Sequence, residues 1–572
     1  MSARLQGRAA SPGVAVAPAF VVAPRERPDE LPDTHDGDAD TERRRLDDAL
    51  EEAERDLRHI AEAMTGDAGE EQGAIFEAHA EFVADPELAS LARDAIDEGA
   101  SAEKAVRDAF DEFSGLLAAS TDEYLAARAA DLDDARDRVV DILTGAGPAP
   151  VPTRRCVVVA TDLTPSDTAR LPKDLIAGIV CEQGSSVSHA AIIARSIGIP
   201  AVVGTSGLLD TVAADVLVGV DGSTGEVVAD PDEDDRKDLD ERAADERERR
   251  RRLASLKGEQ GRTADGRRVE VAANLNGPDA VDPAVEEGAE GSGLVRTEFL
   301  FQDRSEAPDV DLQVEQYQTI LRAFPNHRVV VRTMDIGADK PLPFVDRDPE
   351  QNPALGVRGL RLGLVMPDLL RDQLRALLRA RAGVGDGGRL AIMFPMVSVP
   401  EELGDARRML DEVAGEEGAD LGGVEVGAMI EVPAAALAAR RLAREADFLS
   451  VGTNDLLQYL FAADRLLADV AGLPDLLVPE VLGLLDRVVA DAHAEGAWVG
   501  VCGEAAADPV HAAAFVGLGV DELSMSAASI LEIKDLLRRV DAGRLREAVE
   551  AAIAAPDAGR ARERVEEAIP AP

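Results

Sequence analysis

Gly184-Ser185-Ser186-Val187-Ser188-His189-Ala190-Ala191-Ile192-Ile193-Ala194-Arg195 runs from a small, polar loop straight into an apolar helix start. Before it, Leu175-Ile176-Ala177-Gly178-Ile179-Val180-Cys181 reads as a buried strand; after it, Ile199-Pro200-Ala201-Val202-Val203-Gly204 reads as a second one. The unit is strand-loop-helix-strand, an α/β corner. His189 falls at the helix N-terminus, where free amides and the helix dipole favour an anion. An imidazole is nucleophilic near neutral pH and can carry a phosphoryl group. The competing reading is a histidine that only caps or packs there.

Working outward, Cys156-Val157-Val158-Val159-Ala160 and Val216-Leu217-Val218-Gly219-Val220 are further buried strands of the same layer. A hydroxyl-rich turn, Asp162-Leu163-Thr164-Pro165-Ser166-Asp167-Thr168, follows the first of them. The N-terminal Ala10-Ser11-Pro12-Gly13-Val14-Ala15-Val16 region reads as two short strands about a Pro-Gly turn. Two strands cannot fold alone, so they should pair with the later ones. Between them and Cys156 the pattern is helical: Leu46, Leu50, Leu57 and Ile60 recur at helix spacing, and Val106, Phe110, Phe113 and Leu117 repeat it. His59 and His79 lie on these helix faces and read as packed or solvated. The predicted domains are an α/β domain from residues 1–23 plus 146–229, an inserted all-helical domain at 24–145, a charged helical linker at 230–262, and a C-terminal domain at 263–572.

Composition limits the partners. There are 110 Asp and Glu against 61 Lys and Arg, a formal net charge of −49, and only six of the basic residues are Lys. An apolar content of 45% is too high for a mostly disordered chain. Such self-repulsion is best tolerated where salt screens it, which predicts a halophilic protein. Nucleic acid is an unsuitable partner: the run Arg249 to Arg252 is preceded by acidic residues and reads as part of a solvated helix. No apolar run is long enough to span a membrane, and the first residues lack a secretory apolar core. Three cysteines, Cys156, Cys181 and Cys502, make no disulfide framework. A reduced, cytoplasmic protein is expected.

From Thr263 onward strands and helices alternate. Val269–Ala272, Gly293–Val295, Val329–Val331, Leu390–Phe394, Val426–Ile430, Phe448–Val451 and Trp498–Val501 are seven candidate strands, and the short Gly356-Val357 run is taken as the eighth. That count predicts a (β/α)₈ TIM barrel. Polar residues gather where these strands end: Arg296 and Glu298, Arg332 and Asp335, Arg358, Glu431, Asn454 and Asp455 with Arg465 ten residues on, then Cys502 and Glu504. Singly, each is a solvated loop charge. Together they occupy the catalytic face of a barrel. Arginine forks suit phosphate and carboxylate, and the carboxylates Glu431 and Asp455 suit Mg²⁺. Cys502 is either a buried strand-end thiol or a proton donor. No Lys follows a Gly, so there is no Walker motif.

With those residues in place, the chain resembles Enzyme I of the phosphoenolpyruvate-dependent sugar phosphotransferase system over essentially its whole length. The blocks that carry the resemblance are Ala10–Ala15, Asp162–Ser166 with Thr168, Ser188-His189 through Gly204-Thr205, Arg296–Leu300, Arg332–Gly337, Phe394-Pro395-Met396, Gly452–Leu456 and Cys502-Gly503-Glu504. The resemblance implies that His189 takes the phosphoryl group from phosphoenolpyruvate on Nε2, with Thr168 steadying the ring. It implies that Arg296, Arg332, Asn454 and Arg465, with Arg358 nearby, bind substrate. Glu431 and Asp455 would ligate Mg²⁺, and Cys502 would protonate the enolate to give pyruvate. The α/β domain becomes a swivelling phosphohistidine domain and the helical insert the docking domain for the phosphocarrier HPr, which passes the group on to sugar uptake. Dimerisation through the barrel is implied as well. Two departures stand out. Gly184–His189 lacks one glycine and one threonine of the usual Gly-Gly-x-Thr-Ser-His, and Leu466-Leu467 follow Asp464-Arg465 where Gly-Asn is usual. The alternatives are a phosphoenolpyruvate-sensing regulatory protein, or a relative of pyruvate phosphate dikinase and phosphoenolpyruvate synthase without an ATP domain.

Overall fold

The computed structural model describes residues 2–22, 32–35, 37–68, 70–118, 123–145, 150–163, 167–168, 171–185, 188–302, 304–337, 342, 344–345, 350–465, 467, 469–470 and 472–570. The expectations at Thr164–Ser166, Ser186-Val187 and Leu466 lie outside these residues. The chain divides into two compact units, Met1–Arg249 and Arg250–Pro572.

The first unit holds an eight-stranded sheet. Its strands are β1 (Ala3–Gln6), β2 (Arg8–Ser11), β3 (Val14–Val22), β4 (Cys156–Ala160), β5 (Ile176–Cys181), β6 (Ala201–Val203), β7 (Leu217–Asp221) and β8 (Glu226–Ala229), in the order β1-β8-β7-β3-β4-β5-β6-β2. The N-terminal strands do pair with later ones: β3 lies parallel to β4 and antiparallel to β7, and β2 pairs with β6. The turn at Pro12-Gly13 therefore separates strands that are not neighbours. β4 and β5 are buried at every residue, which is why they read as unbroken apolar runs. Cys156, Val158 and Ala160 pack one face against Ala190, Ala191 and Ala194 of the helix His189–Ser196. Val157 and Val159 pack the other face against Leu208 and Val212.

Among the described residues, five helices lie within 39–144, between β3 and β4, and close on a core of Leu46, Leu57, Phe76, Ile96, Val106, Phe110 and Val139. Asp85 caps the helix Pro86–Asp97 by accepting from the amides of Glu87 and Leu88. His79 is fully buried there, edge-on to Phe76. The acidic-basic segment is the helix Glu233–Ala254, strongly charged on nearly every face, with Leu239 its one buried apolar residue. Its first half is tied to the sheet by Arg242 to Asp221 at 2.6 Å and by Arg4 to Asp235 at 2.6 Å.

The second unit is a closed barrel of eight parallel strands: β9 (Glu270–Leu275), β10 (Gly291–Val295), β11 (Arg328–Arg332), β12 (Arg389–Phe394), β13 (Glu425–Ile430), β14 (Phe448–Val451), β15 (Trp498–Val501) and β16 (Glu522–Met525). β16 closes the ring on β9, with Leu523 opposite Val271. One expectation is corrected here. Gly356-Val357 is not a strand; it follows a 3₁₀ turn at Pro353–Leu355. The eighth strand is Glu522-Leu523-Ser524-Met525, whose alternation of polar and apolar residues hides it from a search for apolar runs. Among the described residues, no helix is long and apolar enough to cross a membrane.

Candidate active site

The C-terminal ends of the barrel strands open into a cavity of about 730 Å³. Arg332 is the last residue of β11; Arg296, Glu431 and Cys502 each follow directly on β10, β13 and β15. Asn454 and Asp455 sit in the first turn of the helix Thr453–Phe461, which follows β14. Arg358 enters from the loop between β11 and β12, and Arg465 from the segment beyond that helix. All eight line the cavity. His189 and Thr168 belong to the other unit.

The four arginines fall into two pairs. Arg332 and Arg358 are buried and bound to carboxylates. Arg332 reaches Glu298 at 3.0 Å and Asp335 at 3.1 Å, and Arg358 grips Asp335 with a fork at 2.8 and 3.2 Å. Those carboxylates outweigh the cost of burying Arg332 and hold its guanidinium firmly charged. Arg296 bonds the Asn276 side chain at 3.2 Å, and Arg465 is exposed; among the described residues neither makes an ion pair. Two charged forks therefore face the cavity with hydrogen-bonding capacity left for an anion.

Behind the arginines lies a buried polar layer. Glu298 also accepts from the Asp335 amide at 2.7 Å, and Gln373 accepts from the Met334 amide at 3.0 Å while donating to Thr297 and Tyr317. Glu298, Asp335, Gln373, Thr297 and Tyr317 are thus joined in one buried network, which holds the two arginine-bearing loops.

Asp335, Glu431 and Asp455, all buried, bring oxygens within 4.8 Å of one another. Both Asp335 oxygens are occupied by Arg358. Glu431 accepts from the Met396 amide at 2.6 Å, and Asp455 Oδ1 is buried with no hydrogen-bond partner. Burial, then the negative charges of Asp335 and Asp455, push the Glu431 carboxyl above the ordinary carboxylate range. A hard divalent cation with oxygen ligands fits this arrangement, since it would satisfy Asp455 Oδ1 and relieve the repulsion at Glu431. Glu298 and Asp335 stand among the strand-end residues read from sequence, and Met396 within a quoted block, but none of them was given a role there, and Gln373 was not singled out. Asp335 carried a usable signal, standing three residues after Arg332 at the same strand end. Met396 carried none, because its contribution is a backbone amide.

Cys502 is 2% exposed, with Sγ 3.8 Å from the Val451 carbonyl. Burial pushes its thiol up to about 11, against the opposing pull of the Ser450 hydroxyl and Arg332. At neutral pH it carries its proton and faces the cavity, the state a proton donor needs.

In the first unit, Ser188 occupies the N-cap position of the helix that starts at His189, and its buried hydroxyl has no hydrogen-bond partner. Gly184, with φ of 99°, makes the turn out of β5, and a Cβ there would lie 3.3 Å from Ser188 Oγ. The Gly204 amide bonds the Gln183 carbonyl and the Thr205 amide bonds that of Cys181, latching this loop to the segment after β6. Thr168 is buried nearby in sequence order, between β4 and β5.

Three family descriptions match the chain in succession: the PEP-utilising enzyme N-terminal domain over residues 6–128, the mobile domain over 152–225, and the PEP-binding domain over 250–542. Over 565 residues, 97% of each chain, it is 40% identical to the phosphoenolpyruvate-protein phosphotransferase of Lactococcus lactis subsp. lactis. The chain belongs to the phosphoenolpyruvate-protein phosphotransferase family. The Staphylococcus carnosus member is 40% identical over 97% of both chains, and the Priestia megaterium member 41% identical over 94% of both. Membership over this span assigns the barrel to the PEP-binding part of the family and the segment 152–225, which carries His189, to its mobile part.

Proposed function

We propose that this enzyme transfers the phosphoryl group of phosphoenolpyruvate to His189 and from there to a histidine of an HPr-type carrier protein, as the first step of sugar uptake. The observation that carries the reading is the barrel cavity, where two arginine forks without an ion pair among the described residues, three carboxylates and a protonated thiol converge on a space fit for a small anion. Arg296 and Arg465 bind the phosphate and carboxylate, Arg332 and Arg358 hold the carboxylates behind them, and Asn454 adds a neutral donor. Glu431 and Asp455 would hold Mg²⁺, which when bound neutralises the phosphate oxygens. The His189 nitrogen attacks phosphorus; the bond to the bridging oxygen breaks and its electron pair stays with the enolate. Cys502 gives its proton to the enolate carbon, and pyruvate leaves. Ser188 and the helix N-terminus favour the phosphorylated imidazole, and Thr168 steadies the ring. The helical body at residues 39–144 is the docking surface for the carrier, and the barrel is the dimerisation domain. Incubation with Mg²⁺ and ³²P-phosphoenolpyruvate tests the assignment. Acid-labile label should appear on the wild type and be absent from His189→Ala; label that survives this substitution overturns it.

A further inference from the structure

The barrel interior has two unlike walls. Leu294, Val330, Ala391, Met393 and Met429 pack into an apolar one, which Phe448 and Cys502 join at its edge. The wall built by β14, β15, β16 and β9 carries Ser450, Cys502, Glu522, Ser524 and Asn274. Its lower end is a charge cluster at the strand N-termini. Arg328 lies 3.2 Å from Glu270, 3.1 Å from Glu425 and 3.5 Å from Glu522, and its guanidinium stacks 3.9 Å over Trp498. Glu522 is the deepest of the three carboxyls, with 2% of its side chain exposed against 21% for Glu270 and 25% for Glu425.

Glu522 does not point only at Arg328. Neither of its oxygens makes a hydrogen bond. A Cβ at Gly293 would overlap Oε1, and one at Gly500 would come within 3.2 Å of it. The same Gly500 position is 3.6 Å from Ser450 Oγ. Glu522 Oε1 and Ser450 Oγ therefore flank the same Gly500 position, which Trp498 Cζ3 also approaches at 3.1 Å, and among the described residues neither oxygen has a hydrogen-bond partner, so one bridging water would satisfy both. Ser450 directly precedes the Val451 carbonyl that Cys502 Sγ approaches at 3.8 Å, and its nearby hydroxyl favours the Cys502 thiolate. Asn274 fixes this end of the column, donating to the Cys502 carbonyl at 3.0 Å and accepting from Ser524 at 2.7 Å. Burial, then the charge of Glu270, raises the Glu522 carboxyl well above the ordinary carboxylate range, which favours its protonated form.

We propose that Glu522 is a buried proton store that recharges Cys502 through Ser450 after each turnover. The proposal rests on Cys502 being the acid that protonates the enolate. Once that proton has gone, Ser450 O–H gives its proton to the thiolate and takes one from the Glu522 carboxyl, directly or through the intervening water. Water at the barrel floor, reached past the partly exposed Glu270 and Glu425, then reprotonates Glu522. One solvent proton enters per pyruvate released. The path lets the thiol be recharged from below while products still cover the mouth.

The test compares full-length wild type, Glu522→Gln and Ser450→Ala with Mg²⁺ and phosphoenolpyruvate, measuring single-turnover phosphoryl loading, steady-state pyruvate formation, and the solvent deuterium isotope effect. Both variants should load as the wild type does and keep its KM. Their kcat should fall roughly 10- to 100-fold, within the range of positioned proton transfer, and the isotope effect on kcat should rise. Emission from Trp498, the only tryptophan, reports whether the floor cluster stays folded; if Glu522→Gln disturbs it, Ser450→Ala decides alone. Wild type that takes no label overturns the phosphotransfer reading and the relay with it. Wild type that loads, with variants that turn over at its rate and isotope effect, overturns the relay only. So does a loss of loading that matches the loss of turnover, since that marks a structural role.

Discussion

Met396 reaches Glu431 through its backbone, the amide donating to Oε1 at 2.6 Å from a residue held at φ of 57°. A non-glycine residue in this region costs about 1–2 kcal/mol, and such strain gathers where a group must be aimed. Here it aims a neutral donor at one oxygen of a carboxylate that also faces Asp335 and Asp455. Glu431→Gln keeps that acceptor and removes the charge. The variant should fold with an unchanged or higher thermal midpoint without metal, yet bind Mn²⁺ at least about tenfold more weakly, a loss typical of damaged metal sites. Electron paramagnetic resonance of free Mn²⁺ measures it; wild-type affinity in the variant would remove Glu431 from the ligand set.

The raised Glu431 carboxyl also sets a pH dependence. Its folded value lies above its unfolded one. The stability it contributes is therefore complete below the ordinary carboxylate range and is lost as pH rises through the raised value. Metal-free enzyme should become easier to unfold with urea across that window, and Glu431→Gln should show a shallower trend. Metal binding should run the other way: the cation displaces the proton, so its apparent affinity should rise by up to about tenfold per pH unit until the carboxyl is ionised. Calorimetry in buffers of different ionisation enthalpy would count the released proton, and a count of zero below the raised value would contradict this account.

Cys502 should be slow to alkylate and slower still with phosphoenolpyruvate bound, because its thiol is both buried and protonated. Cys502→Ala should slow pyruvate formation by ~10²–10⁴-fold with little change in phosphoenolpyruvate affinity. Equal pyruvate production by the variant would return Cys502 to packing alone.

The strands of the barrel were legible because buried parallel strands are apolar runs. β16 was not, and the reason is physical: Glu522 and Ser524 are polar residues turned into the barrel interior, against the usual sense of the alternation. Gly356-Val357 looked like a strand by composition, yet the Val357 amide is taken by the Glu350 side chain at 3.2–3.3 Å and joins no ladder. At the mouth, Arg296, Arg332, Glu431, Asp455 and Cys502 could be listed from where the strands end. That Arg332 and Arg358 are bound to Asp335 could not, since it depends on which loops meet in space.

A formal charge of −49 on one chain predicts dependence on salt. Raising salt from about 0.1 M to about 1 M shortens the screening length from about 10 Å to about 3 Å, which weakens repulsion among unpaired surface carboxylates more than it weakens close ion pairs such as Arg379 to Glu417 at 2.7 Å. The thermal midpoint should climb with KCl and the unfolding should be more cooperative at high salt. A midpoint independent of KCl would count against a halophilic surface.

The proposed acceptor and the proposed substrate cavity fall in different units: His189 lies in residues 1–249 and every described cavity-lining residue in 250–572. In-line transfer requires close, aligned contact between the attacking nitrogen and phosphorus. On the proposed function the same histidine then presents its phosphoryl group to a carrier protein. One fixed arrangement cannot offer His189 to the cavity and to a carrier at once, so we expect a hinged movement between the units to be part of the cycle. The fragments should split the reaction accordingly. Residues 1–249 carry their own sheet and helical core and should fold, exchanging phosphoryl groups with a phosphorylated carrier while remaining inert toward phosphoenolpyruvate. Residues 250–572 close their own barrel and should bind phosphoenolpyruvate without affinity for the carrier. Label transfer and calorimetry on each fragment would measure both halves. Direct phosphorylation of residues 1–249 by phosphoenolpyruvate would show that the barrel is dispensable for the chemistry, and the division of labour would fall.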